Sequence, residues 1–158
     1  MHVEPFTIRA ARDRDMPALD ALDVQVWDET STPAGSAAVA VTRPIDDTWV
    51  AEREGEILGF VLVGRRTPLD ANRHVAMLRA VAVDPSARRE GIGQALVARA
   101  IAEARARGFR KLVLTVLGSN AGAIEMYRRA GFVIEGRLSD EFLLGGRYVD
   151  DVVMALRL

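Results

Sequence analysis

The spacing of apolar residues along the chain alternates between the periods typical of helices and of strands. From Ile92 to Arg107 the spacing is helical, and a single apolar stripe lies opposite charged side chains. The stripe consists of Leu96, Val97, Ala100, Ile101 and Ala104. Gly108 follows where a left-handed residue is expected to end this helix. A second, shorter helix is predicted from Ala121 to Ala130, before Gly131.

Seven segments have the apolar content and the flanking turn residues of strands. They are Phe6–Ala10, Thr48–Arg53, Ile57–Arg65, His74–Val83, Lys111–Leu117, Phe132–Leu144 and Arg147–Leu158. A helix is predicted from Arg12 to Trp27, capped by Asp13 or Asp15, and residues 30–42 are interpreted as a short helix or a loop. Because three strands follow one another before the helix at Ile92, this order favours a mixed α/β (α+β) sheet over a regular doubly wound one.

Length and composition limit the functions that are open to the chain. With 158 residues it is expected to form a single domain, residues 1–158. The formal net charge is −1, which argues against nucleic acid or an anionic membrane as a partner. The absence of cysteine excludes disulfides and thiolate metal sites, and no metal is expected. Without a signal peptide or an apolar run of roughly eighteen residues, a cytoplasmic protein is expected.

The most informative segment runs from Val81 to Gln94, where a strand ends and a long helix begins at Gly91 and Gly93. N–H groups at a helix N-terminus lack acceptors in the helix and lie at the positive end of its dipole, so this corner suits a diphosphate. Arg88 or Arg89 would add positive charge. The alternative is a tight turn with solvated arginines. A P-loop is disfavoured because no Gly-Lys-Ser/Thr follows, and a dinucleotide fingerprint lacks its third glycine.

Two motifs in this half of the chain resemble those of the GNAT superfamily of N-acetyltransferases. The first, similar to the family's Gln/Arg-x-x-Gly-x-Gly/Ala signature, is Arg88-x-x-Gly91-x-Gly93, after a strand that ends in Val-Asp-Pro. The second is Asn120-x-x-Ala123-x-x-x-Tyr127-x-x-x-Gly131-Phe132. The resemblance runs from about His74 to the C-terminus. It implies an acyl-CoA N-acyltransferase fold, with a mixed, mostly antiparallel sheet of about six to seven strands and about four helices.

The resemblance also implies a site for acetyl-CoA. Main-chain groups of Val81 and Val83, on a strand that splays from its neighbour at a bulge, would pair with the pantetheine arm, and the N–H groups that follow would hold the diphosphate. The cofactor-binding residues it implies are Val81, Ala82, Val83, Arg88, Arg89, Glu90, Gly91, Ile92, Gly93, Gln94, Asn120 and Tyr127. Asn120 would hydrogen-bond the pantetheine or fix the next helix. The catalytic residues it implies are Tyr127 and Asn120.

Acetyl transfer from a thioester needs a neutral amine, a polarised carbonyl and a proton for the departing thiolate. Tyr127 resembles the family's general acid, and an ordinary tyrosine pKa of about 10 keeps it protonated. By its spacing alone it is equally a core residue of an amphipathic helix. A backbone N–H near Val81 would polarise the carbonyl. The general base is not identified, because the strand before the turn reads Ala76-Met77-Leu78-Arg79-Ala80, without a carboxylate. Candidates elsewhere are His74, Glu29, Asp140, Glu141, Asp150 and Asp151.

The missing carboxylate bears on the acceptor. An α-amine with a pKa of about 7.8 is about one-tenth neutral at pH 7, whereas a lysine-like amine with a pKa of about 10.4 is less than about one-thousandth neutral. This favours a free amino acid or related α-amine as the small-molecule substrate. The C-terminal segment, Glu135 to Ala155, also resembles branches that acetylate amino acids, aminoacyl compounds or polyamines. Trp27, Glu29 and Tyr148 are candidates for the acceptor pocket.

Three alternatives stay open. The first is a polyamine as the acceptor, the second is a protein N-terminus as the acceptor, and the third is a non-catalytic acyl-CoA-binding regulatory module. The resemblance further implies a homodimer formed through the C-terminal strands, with Phe142–Leu144 as an apolar edge.

Overall fold

The computed structural model describes residues 5–26 and 43–158, and in these ranges the chain forms one seven-stranded sheet and three α-helices. The strands are β1 (Thr7–Ala10), β2 (Thr48–Arg53), β3 (Glu56–Arg65), β4 (Val75–Val83), β5 (Lys111–Leu117), β6 (Val133–Leu144) and β7 (Arg147–Arg157). The helices are α1 (Met16–Val26), α2 (Ile92–Ala106) and α3 (Ala121–Arg129). Short 3-10 turns precede α1, β2, β4 and α2.

The predicted elements in these ranges are confirmed, and the largest shift in a boundary is at α1. That helix begins at Met16 instead of Arg12 because a 3-10 turn, Asp13–Asp15, comes first. The Asp15 carboxylate accepts the Arg12 N–H at 2.7 Å, which tightens this turn. The short helix or loop predicted for residues 30–42 lies outside the described residues. None of the helices in the described ranges is long and apolar enough to cross a bilayer.

The sheet has the order β1-β2-β3-β4-β5-β7-β6, which confirms the mixed, mostly antiparallel prediction. Only β4 and β5 run parallel to each other, and every other neighbouring pair is antiparallel. The chain passes from β4 to β5 through α2, the connection that a parallel pair requires. β6 lies at one edge of the sheet, so one side of its backbone has no neighbouring strand among the described residues.

Apolar clusters cover both faces of the sheet. On one face the whole predicted stripe of α2 is buried, together with Tyr127 and Phe132 around α3. On the other face, Leu19, Leu22 and Val26 of α1 pack against the strands. Full burial of one such leucine stabilises the fold by about 2 kcal/mol. Helices therefore pack on both faces of the sheet, and its strands form rigid supports for any ligand that binds between them.

A partly buried ion pair fixes the 3-10 turn before α1 against the sheet. The Arg9 guanidinium on β1 donates to both carboxylate oxygens of Asp15, at 2.7 and 2.9 Å, and also to Glu52 on β2. This pairing lowers the pKa of Asp15 to about 2. Because the carboxylate is ionised in the fold, the pair stabilises α1 above the ordinary aspartate pKa, and that stabilisation is lost as the pH falls through about 2.

Candidate active site

β4 and β5 separate from each other shortly after they meet. They pair only where Val75–Met77 faces Lys111–Val113, and within residues 5–26 and 43–158 the rest of β4 has no partner strand on that side. A cleft of about 750 Å³ lies between them. The predicted cofactor-binding residues that line it are Val81, Val83, Arg88, Arg89, Gly93, Asn120 and Tyr127. The gap in the sheet therefore lies beside the corner that the sequence marks as an anion site.

A bulge in β4 accompanies this separation. Leu62 of β3 pairs with Ala80 and Val63 pairs with Leu78, so Arg79 is left without a partner on β3. A bulge bends its strand and increases the local twist, which turns the second half of β4 away from β5. The splayed strand with a bulge that the motifs imply is confirmed.

Main-chain groups of β4 point into the gap. The Asp84 N–H donates to the Leu58 carbonyl at 2.8 Å, and hydrogen-bonded and non-hydrogen-bonded pairs alternate along an antiparallel ladder. Ala82 is therefore hydrogen-bonded to β3, whereas Val81 and Val83 direct their N–H and C=O groups away from β3. An extended ligand in the cleft would meet the main-chain groups of these two valines as it would meet a neighbouring strand.

The turn before α2 presents unpaired N–H groups to the cleft. Arg89 and Gly91 have φ values of 67° and 82°, left-handed conformations that cost glycine nothing and an arginine about 1 kcal/mol. The first hydrogen bond of α2 is donated by Ala95 to the Gly91 carbonyl, at 3.0 Å. The N–H groups from Ile92 to Gln94 precede it and have no acceptor within the helix.

Space for an anion lies directly against this turn. A Cβ atom placed on Gly93 would lie 3.4 Å from the Met126 sulfur and 3.7 Å from Val83 Cγ2, so any side chain here would enter the cleft. The exposed arginines 88 and 89 add two positive charges at the same mouth. Free N–H groups, positive charge and a space kept open by a glycine together fit the diphosphate of a nucleotide cofactor.

Two side-chain contacts hold the turn in place. Asp84 accepts hydrogen bonds from the N–H and the hydroxyl of Ser86, at 2.8 and 2.6 Å, and these bonds lower the pKa of the Asp84 carboxyl. Glu90 forms an ion pair with Arg53 of β2. That pairing neutralises the carboxylate next to Gly91 in the sequence, which would otherwise repel an anion.

Asn120 and Tyr127 reach the cleft from α3. The Asn120 side-chain oxygen accepts the Ala123 N–H at 3.1 Å, so this residue is the N-cap of the helix, one of the two roles given to it above. Tyr127 lies two turns further on, with its ring packed edge-on against Phe132 at 5.8 Å between centroids. Burial raises the pKa of Tyr127 to about 12. Within the described residues its hydroxyl has no hydrogen-bond partner, so it is free to serve a ligand.

Comparison with known proteins identifies the family. The sequence model of the Acetyltransferase (GNAT) family matches residues 12–132. The chain belongs to the GNAT acetyltransferase family. It is therefore an acyltransferase.

Individual GNAT proteins resemble the chain over nearly its whole length. The L-methionine sulfoximine/L-methionine sulfone acetyltransferase of Pseudomonas aeruginosa is 29% identical, over 96% of this chain and 94% of its own. A ribosomal-protein-alanine N-acetyltransferase structure from Brucella melitensis is 33% identical, covers 96% of this chain and 99% of its own, and has a TM-score of 0.79. The structure of yncA from Salmonella typhimurium with its cofactor acetyl-CoA is 24% identical, with a TM-score of 0.81 over 98% and 95% of the two chains.

Several predicted GNAT site residues do not line the cleft with their side chains. Ala82 and Ile92 are buried in the core, Gln94 is exposed, and Glu90 is paired as described. The main-chain N–H groups of Glu90, Ile92 and Gln94 belong to the turn and to the start of α2, so they can still bind a ligand, whereas Ala82 is hydrogen-bonded to β3. Within the described ranges no cluster of three or more histidine or acidic residues could hold a metal ion.

The candidate bases are divided by the structure into one that lines the cleft and several that do not. Asp151 on β7 lines it. His74 is exposed before the start of β4, at the end of that strand remote from the gap. Asp150 is paired with Arg137, and Asp140 and Glu141 are exposed in β6. Glu29 and Trp27 lie outside the described residues, and Tyr148, the third candidate for the acceptor pocket, is exposed away from the cleft.

Among the lining residues that were not predicted as site residues, three have side chains that can take part in recognising a ligand. They are Arg79, Thr115 and Phe142. Arg79 and Thr115 are the polar residues that interrupt two apolar strands, a signal that the sequence does contain. Phe142 enters the cleft because β6 bulges between Leu138 and Phe142, and no local pattern marks that bulge. The Arg79 guanidinium donates to the carbonyls of residues 65 and 66, at 2.7 and 3.2 Å, which holds it beside the gap.

The raised pKa of Tyr127 can be measured directly, because the chain has only two tyrosines. In a Tyr148→Phe background, the absorbance of tyrosinate should show a midpoint at about 12. Ionisation is suppressed only in the folded state, so the free energy of unfolding should fall by about 1.4 kcal/mol per pH unit between about 10 and 12. A midpoint at about 10 in a protein whose circular dichroism is still native would contradict the burial of this phenol.

Proposed function

We propose that this GNAT enzyme transfers the acetyl group of acetyl-CoA to the α-amine of a free amino acid or a close analogue, with Tyr127 as the general acid. The observation that carries the proposal is the cleft between β4 and β5, which is lined both by the anion corner and by Tyr127. At about 750 Å³ the cleft must hold both the acyl end of the cofactor and the acceptor amine, which favours a small molecule as the acceptor.

Charge in the cleft supports an amino acid as the acceptor. Arg79 lies on β4 at the bulge, and its side chain uses only one guanidinium nitrogen to bind carbonyl oxygens. The remaining N–H groups can bind a carboxylate, in the forked geometry that arginine favours. A free amino acid carries that carboxylate next to its amine. The relative from Pseudomonas aeruginosa, which acts on methionine sulfoximine and sulfone, is consistent with this class.

The protein contributes to the reaction in three ways: it binds the diphosphate of the cofactor, it aligns the pantetheine arm, and it donates a proton to the sulfur. Acetyl-CoA brings an acyl group that is activated as a thioester. The turn N–H groups and arginines 88 and 89 hold its diphosphate, and the main chain of β4 aligns its arm. Tyr127 remains protonated at physiological pH because its pKa is about 12, so its hydroxyl donates a hydrogen bond to the sulfur. The Tyr127 phenol is a weaker acid than a simple thiol, whose pKa is about 8.5. The phenol proton therefore moves to the sulfur as the acidic N–H of the acylated nitrogen gives a proton back to the phenol oxygen.

A protein N-terminus is the second candidate acceptor, because the ribosomal-protein-alanine N-acetyltransferase of Brucella melitensis is 33% identical to this chain. The two candidates differ in whether the acceptor carries a carboxylate beside its amine. A panel of free L-amino acids, L-methionine sulfone, spermidine and an alanine-initiated peptide therefore separates them in an assay of thiol release. We expect the highest kcat/KM with free α-amino acids or L-methionine sulfone. Turnover of the peptide alone would contradict the proposal, and cofactor binding without any turnover would indicate a regulatory module.

Replacing Tyr127 with phenylalanine tests the general acid. The ring still fills its place against Phe132, so acetyl-CoA affinity measured by calorimetry should be unchanged. The loss of the hydroxyl should lower kcat by about 10²-fold or more. Tyr148→Phe is the matched control, because Tyr148 is 68% exposed and does not line the cleft, and it should retain wild-type kcat. Equal kcat in both variants would exclude Tyr127 as the acid.

We also propose that the enzyme forms a homodimer through β6. This strand is the edge of the sheet, and it exposes apolar side chains in Val133, Leu138 and Leu143. A second copy pairing at this edge would cover them. Sedimentation equilibrium should give the mass of two chains, and a Leu143→Lys variant should shift it toward one. A wild-type protein that sediments as one chain at all concentrations would contradict this assembly.

A further inference from the structure

Asp151 lies on the face of the sheet opposite Tyr127. Along β7 the side chains alternate, and Val152 and Met154 enter the core under α2 and α3, which also contains Tyr127. Ala155 and Val153 pack on the other face. Asp151 is two residues from Val153 and so shares that face. Both Asp151 and Tyr127 line the same cleft, so they approach the gap in the sheet from its two sides.

The Asp151 carboxyl group has apolar neighbours, and among the described residues it has no cationic partner. Its strand neighbours in register, Leu117 on β5 and Leu138 on β6, are apolar. Within the described residues it forms no salt bridge, whereas the adjacent Asp150 is paired with Arg137 at 3.0 Å. Burial, and then the negative charge of Glu141 on β6, raise the pKa of Asp151.

The other charged side chains that line the cleft are three arginines, which lie on the turn before α2 and on β4. Arg88 and Arg89 lie at the turn before α2, and Arg79 on β4 is bound to carbonyl oxygens. Among the described residues, Asp151 is therefore the one carboxylate that lines the cleft. A cationic amine that enters from this face meets Asp151 and Glu141 as its negative partners.

We propose that Asp151 is the general base of the reaction, in place of the carboxylate that β4 lacks. The proposal rests on the proposed function, since it requires an amine acceptor that arrives as an ammonium ion. Glu141 acts through Asp151 as a positioning residue, because its negative charge favours the proton on Asp151 and attracts the ammonium ion.

The protons and electrons of the transfer balance as follows. The acceptor ammonium gives one proton to the Asp151 carboxylate, and its nitrogen lone pair forms a bond to the thioester carbonyl carbon. The C–S bond breaks, its electron pair goes to sulfur, and the sulfur takes the proton of the Tyr127 hydroxyl. The second proton of the nitrogen restores the Tyr127 hydroxyl, and Asp151 releases the first to solvent. The products are the N-acetylated acceptor, coenzyme A thiol and one proton.

The test is the pH dependence of kcat/KM for L-methionine sulfone in wild-type, Asp151→Asn and Asp140→Asn enzymes. Below the pKa of the acceptor amine, Asp151→Asn should lose about 10²-fold or more in kcat/KM. The loss should shrink as the pH passes that pKa, because a neutral amine needs no base. Asp140→Asn makes the same chemical change at an exposed residue of β6 and should keep the wild-type profile. Acetyl-CoA affinity, measured by calorimetry, should be the same in all three.

The outcomes separate this inference from the proposed function. If the wild-type enzyme acetylates L-methionine sulfone but Asp151→Asn matches it at every pH, the inference is overturned and the proposed function stands. A loss by the same factor at every pH, or with weaker acetyl-CoA binding, assigns Asp151 a structural role and also overturns the inference. If the wild-type enzyme acetylates no amine in the panel above, both fall together.

Discussion

The separation of β4 from β5 is the constraint on which the site depends. A continuous sheet would satisfy the main-chain groups of β4 with those of β5 and would leave nothing for a ligand. Here the pairing stops after Met77 and Val113, and the bulge at Arg79 turns the rest of β4 aside. The unpaired edge lies inside the protein and not at its rim, supported by α1 on one face and by α2 and α3 on the other. The gap thus combines an open backbone edge with rigid walls.

Charge is distributed along this gap in a way that matches the two substrates. The end next to α2 has N–H groups without acceptors in the helix, together with Arg88 and Arg89, and the Glu90 carboxylate there is paired with Arg53. The far face has Asp151 and Glu141, which have the opposite sign. Under the proposed function, the anionic cofactor is drawn to the α2 end of the cleft and the cationic amine to the face that carries Asp151. The net charge of −1 conceals this arrangement, because the two signs cancel over the whole chain.

The sequence was sufficient for the elements and for the turn that begins α2, because these are local. The stripe of α2, Gly91 and Gly93 lie within a short stretch, and their spacing alone places N–H groups at a helix start. The acceptor half depends on long-range geometry. Asp150 and Asp151 are adjacent in the sequence, and only the register of β7 between β5 and β6 sends one to Arg137 and the other to the cleft. Phe142 likewise reaches the cleft through a bulge in β6, which has no local signature here.

The central claim is that the start of α2 binds the diphosphate of coenzyme A, and backbone amide NMR tests it most directly. On titration with coenzyme A, the amide signals of Ile92, Gly93 and Gln94 should shift strongly, since hydrogen bonds to phosphate deshield these protons. Gly108, at the far end of the same helix, should shift little, because α2 is about 22 Å long. Shifts confined to other parts of the protein, or none at millimolar coenzyme A, would contradict the account.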